Sequence, residues 1–142
     1  MMKVHSTNYY NTLIEIAEDC PVQQSEAPPV KGLKQSVANL QFDMIKENPY
    51  QFTSDEVLFT VYANRKDLDI DHWNEHRKSY FSKGQPCFRA SPLPKRYGFG
   101  IHNDKEGKIA LLGVETEAYQ RLLEDKTVKK IKAMRSKRAQ NP

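Results

Sequence analysis

The sequence is short of the features that usually reveal a function. Its two cysteines, Cys20 and Cys87, cannot build a disulfide scaffold in 142 residues. They stand in no Cys-x-x-Cys or Cys/His spacing that would hold zinc, and each reads as a buried structural thiol. The six glycines form neither a P-loop nor a dinucleotide fingerprint. No serine sits in a nucleophile elbow. No cofactor, no metal site and no catalytic residue are therefore expected. The longest apolar run, Ile109 to Val114, is six residues, far short of the roughly 20 that a membrane-spanning helix needs. The stretch from Met1 to Tyr10 has one lysine and no apolar block, unlike a secretory signal. These absences lead us to expect a soluble, cytoplasmic chain.

Hydrophobic residues make up 38% and aromatics 10%, enough to argue against wholesale disorder. The length suits one domain, residues 1–142. Charge is unevenly placed. Residues 1–125 carry 15 basic and 18 acidic side chains, whereas 126–142 carry seven basic ones and no acid. The high isoelectric point thus belongs to a basic C-terminal helix or tail. Such a tail suits nucleic acid or an acidic partner, or simply the negative end of a helix dipole.

Hydrophobic periodicity predicts the elements. Thr12 to Ala17 alternates as a strand and Cys20-Pro21 ends it. Residues 21–35, with Pro28-Pro29 and Gly32, form a long loop. Ser36 caps a helix that carries Val37, Leu40, Met44 and Ile45 and stops at Asn48-Pro49. Thr53 and Glu56 make a capping box for a second helix. A third starts near Asp69, presents Trp73, Arg77, Tyr80 and Phe81, and ends at a left-handed Gly84. Cys87 to Ala90 reads as a short strand broken off by Pro92 and Pro94. Residues 97–114 read as a β-hairpin around Asn103–Gly107. Tyr97, Phe99 and Ile101 point to one face, and Gly98, Gly100 and His102 to the other. Glu117 to Asp125 is a helix with Ala118, Tyr119, Leu122 and Leu123 inward. Thr127 caps a last helix bearing Val128, Ile131 and Met134. The expected fold is α+β: an antiparallel sheet of three to four strands, including the hairpin, packed against about five helices on one side.

Several stretches carry a resemblance. They are His5-Ser6-Thr7-Asn8-Tyr9-Tyr10, Ile16-Ala17-Glu18-Asp19-Cys20-Pro21, and Val37-Ala38-Asn39-Leu40-Gln41 with Asn48-Pro49-Tyr50. The most distinctive is Arg89-Ala90-Ser91-Pro92-Leu93 running into Lys95-Arg96-Tyr97-Gly98-Phe99-Gly100-Ile101-His102, followed later by Ala133-Met134-Arg135-Ser136-Lys137-Arg138. Over nearly its whole length the chain resembles a small bacterial family of unknown function. The resemblance implies a single-domain cytoplasmic protein and brings no catalytic residues with it.

Four constellations carry chemistry. His72-Trp73-Asn74-Glu75-His76 matches the inverted zinc-peptidase pattern, with two histidines on one helix face, but no third ligand is marked, and a surface helix is the expected reading. Lys95 to Ile101 partly resembles an RNA-recognition strand, yet Tyr97 and Phe99 are expected to face the core. Gly98 and Gly100 leave bare backbone beside His102, room for a ligand or for a packed aromatic. The best polar group is Arg89, Lys95, Arg96 and His102, with Tyr97 and Asn8 assisting. It would grip a carboxylate or phosphate through arginine and move a proton through histidine. His5, beside Asn8 and Tyr9, would line the same cleft if the N-terminal segment folds onto the sheet.

Three functions follow. The favoured one is a non-enzymatic binding or interaction module, with self-association into a homodimer through the sheet edge or terminal helices. The second is an enzyme or sensor for a small anionic ligand at residues 89–102. The third is nucleic-acid binding by Lys129, Lys130, Lys132, Arg135, Lys137 and Arg138.

Overall fold

The computed structural model describes residues 3–137. In chain order the elements are β1 (Thr12–Glu15), α1 (Val37–Glu47), α2 (Ser54–Arg65), α3 (Trp73–Tyr80), α4 (Pro92–Arg96), β2 (Phe99–Asn103), β3 (Ile109–Gly113), α5 (Glu117–Glu124) and β4 (Lys129–Lys132). Single 3-10 turns at Ile70–His72 and Phe88–Ala90 precede α3 and α4. The class is α+β, as the pattern predicts. None of the described helices is long and apolar enough to cross a membrane.

Local chemistry starts the helices where the sequence places them. The Ser36 hydroxyl accepts from the Asn39 amide, and the Asn39 side chain answers by accepting from Ser36 N. Thr53 and Glu56 make the same reciprocal pair at α2, so two otherwise orphaned amides are satisfied at each start.

The sheet has the order β3-β2-β1-β4. The β2–β3 hairpin and the β1–β2 pair are antiparallel, but β4 runs parallel to β1, so the sheet is mixed rather than antiparallel. This replaces the expected C-terminal helix. Val128, Ile131 and Met134 have helical spacing, yet Val128 packs on Leu13 and Tyr119 while Ile131 packs in the cluster of Ile14. Residues three apart point to opposite faces of a strand, and here each face has its own core. Thr127 does not cap a helix; its amide and hydroxyl donate to the Asp125 carboxylate.

Helices cover both faces, not one. On the first, Ile14, Ile101 and Ile109 pack with Phe42 and Ile45 of α1, Val57 of α2, Phe88 and Leu93. On the second, α5 lays Tyr119 against Leu13 and Val128, with Leu122 and Leu123 half-buried and Ala118 exposed. A satellite cluster of Phe59, Ala63 and Phe81 joins α3 to α2.

Two further elements differ from expectation. Where a strand is expected over Cys87–Ala90, Phe88–Ala90 is a 3-10 turn, and Pro92 opens α4, where its fixed φ suits a first turn. Helix α3 closes on Phe81 without a left-handed Gly84; among the glycines, positive φ belongs instead to Gly32, Gly98 and Gly107.

Candidate functional site

The N-terminal segment reaches the core through the start of α2. The buried Asp55 carboxylate accepts the Ser6 hydroxyl at 2.7 Å and both the amide and the hydroxyl of Thr7 at 2.7 Å. Asn8 completes the exchange, its Oδ1 accepting from Asp55 N at 2.9 Å. A carboxylate in the first turn of a helix also faces the positive end of the dipole. On the other side, His5 N donates to Phe81 O. Residues 5–8 are thus fixed to α2 and to the end of α3.

This anchoring opens a cleft of about 360 Å³ lined by Ser6, Thr7, Asn8, Tyr9, Gln85 and Cys87. The Tyr9 hydroxyl lies 3.6 Å from Cys87 Sγ. Burial raises the Tyr9 pKa, the Cys87 neighbour raises it further, and the Arg89 guanidinium opposes both. Arg89 stands on the 3-10 turn that follows Cys87, and its Nε donates to Lys132 O at 2.8 Å, which fixes the guanidinium beside β4. Cys87 also lines a smaller, mainly apolar hollow with Leu58, Tyr80 and Pro92. Neither cysteine is fully buried, contrary to expectation, and both are free thiols.

The structure sorts the expected anion site into separate parts. Asn8 lines the cleft with Tyr9 and Cys87, whereas Arg89, two residues beyond Cys87, is turned to Lys132 O and is not among the lining residues. Among the described residues no hydrogen bond or ion pair links Arg89, Lys95, Arg96 and His102. Lys95 and Arg96 occupy the last turn of α4, with Arg96 exposed. Tyr97 packs against the first core and Phe99 lies 5.3 Å from the Phe42 ring, so neither forms an open stacking platform. His102 sits in β2 opposite Leu13 and Ala110, and Tyr50 bonds its Nδ1 at 2.8 Å. Burial lowers the His102 pKa, with Asp104 partly opposing. The bare face beside it is filled by an aromatic, since a Cβ at Gly100 would stand 2.5 Å from the Tyr119 ring.

His72 and Glu75 approach to 3.9 Å on the surface, and among the described residues no three metal-donor side chains gather. Acids already attend the basic tail. Lys132 and Arg135 both pair with Glu18, while the Asp19 carboxylate accepts from the amides of Ser136 and Lys137. Lys130 Nζ donates to the carbonyls of Asp125 and Val128. Lys129 is exposed, and Arg138 lies outside the described residues.

Sequence reasoning missed Ser6, Thr7, Gln85 and Cys87 as cleft residues. The polar run His5 to Tyr9 was the usable signal. Gln85 and Cys87 carried none: Cys87 reads as the start of a strand and Gln85 falls in the link before it.

Residues 4–139 match a family of unknown function (DUF6157), and the chain belongs to that family. No curated protein and no solved structure matches the chain.

Proposed function

We propose that this family member is a non-catalytic binding module whose cleft at Ser6–Tyr9 and Gln85–Cys87 takes a small anionic ligand, a carboxylate or a phosphate. The observation that carries the reading is the meeting of Asn8, Tyr9 and Cys87 at one cleft, with Arg89 two residues beyond Cys87 on the 3-10 turn. An amide, a phenol and a guanidinium are donors to anion oxygens, and arginine matches the planar geometry of a carboxylate. Three polar groups at this cleft are committed to structure. The Ser6 and Thr7 hydroxyls both donate to Asp55, so its carboxylate is spent on holding the segment rather than on activating a nucleophile.

The test is a melting series with inorganic phosphate and with succinate. A ligand that binds only the folded chain raises Tm with concentration. We expect a saturable rise with at least one of the two anions, reduced in Tyr9→Phe and lost in Arg89→Met. Absence of any saturable shift in the unaltered protein with both anions refutes the reading.

A further inference from the structure

Strand β4 is an outer strand, and its two edges are used differently. Lys129 N donates to Asn11 O and Ala133 N to Glu15 O, so residues 129, 131 and 133 turn their backbone groups toward β1. Because a strand alternates, Lys130 and Lys132 turn theirs outward. At one end the chain itself occupies this outer row: Lys132 O accepts from Arg89 Nε, and Met134 N donates to Arg89 O, both at 2.8 Å. Among the described residues, the amide and carbonyl of Lys130 and the amide of Lys132 have no partner.

We propose that this row is a docking edge for an extended acidic segment of another protein, which adds to the four-stranded sheet beside β4. Main-chain bonds to an exposed edge supply affinity, and side chains at alternate positions supply selectivity. The side chains here are Lys129, Lys130, Ile131 and Lys132, with Arg135 just beyond. An incoming strand is favoured when acids stand opposite the lysines and an apolar residue opposite Ile131. A second copy of β4 fits poorly, since pairing two such strands sets lysine against lysine. Glu18 lies beside this edge and pairs with Lys132 and Arg135 at 3.2 and 2.9 Å, so an incoming acid joins or displaces it there. The competing role for edge lysines is to keep every strand away. The two roles differ in what an acidic strand does.

The probe is a fluorescein-labelled peptide of alternating Glu and Val, titrated with the full chain. Peptides of alternating Glu and Pro, which offer fewer amides, and oligothymidylate serve as controls. We expect saturable anisotropy with the Glu-Val peptide alone, and slowed hydrogen exchange at the Lys130 and Lys132 amides when it is bound. Lys130→Pro removes an outward amide but none of the bonds to β1, as proline permits on an edge. It should weaken binding about tenfold, more than the charge loss in Lys130→Gln does. If Lys130→Pro fails to fold, the exchange measurement on the unaltered chain decides. Binding of all three probes without protection of those amides overturns the proposal in favour of a general polyanion surface. Binding of none overturns it in favour of guard lysines.

Discussion

At Gly100 the strand surface is shaped to receive a ring. The Tyr119 side chain lies where a Cβ would be, and its hydroxyl accepts from Ile16 N at 3.1 Å. Gly100→Ala should therefore cost about 1–3 kcal/mol through overpacking, read as a lower denaturation midpoint with an unchanged slope. His102 gives a second expectation. Burial lowers its folded pKa below the ordinary value of 6.5, so the unfolded chain binds the proton more readily. Stability is then present above about pH 6.5 and declines as pH falls from there toward the lowered folded value. His102→Asn should remove that part of the decline, seen in melting temperatures between neutral pH and the onset of carboxylate titration. At this scale the sequence shows that the Gly100 face is bare and that His102 lies on it. It does not show what covers the face, because Tyr119 arrives from an element whose position depends on the strand order. Nor does it show Tyr50, held at φ +59°, which reaches the histidine from the loop between α1 and α2.

Elements were legible where their signal is local. The Ser36 N-cap, the Thr53–Glu56 capping box and the β2–β3 hairpin follow from a few adjacent residues, whereas the reciprocal bond of Asn39 to Ser36 was not read. The 3-10 turn at Phe88–Ala90 and strand β4 were not, because each is selected by tertiary partners: Phe88 by the first core and β4 by the open edge of β1. The same dependence governs the cleft, where Asp55 joins the start of α2 to residues 6–8. Asp55→Ala should cost about 2–3 kcal/mol, since several charge-assisted hydrogen bonds are lost at once. Hydrogen exchange should then speed up at Thr7, whose amide Asp55 binds, while the amides of β2 and β3 stay protected. At the other end, Lys132 and then Arg135 hold the Glu18 carboxyl below its ordinary value. Its contribution is present at neutral pH and is lost as pH falls below about 4.5, toward the lowered folded value. Glu18→Gln should flatten acid unfolding in that window, followed by circular dichroism.

For the whole molecule, β1 decides the architecture, since it receives β2 on one side and β4 on the other. Removing residues 126–142 would delete β4 together with the basic side chains, so such a variant is no clean test of a tail. We expect it to associate in gel filtration and to melt well below the full chain, because the β1 edge and Leu13 lose their cover. There is also a consequence in time. Strand β1 precedes both of its sheet neighbours in the chain by a long stretch, and β4 is the last of the described elements. During synthesis β1 keeps two open edges until β2 is made and one open edge until β4 follows. Refolding from denaturant should be slow for a sheet of this size because both pairings of β1 are distant in sequence.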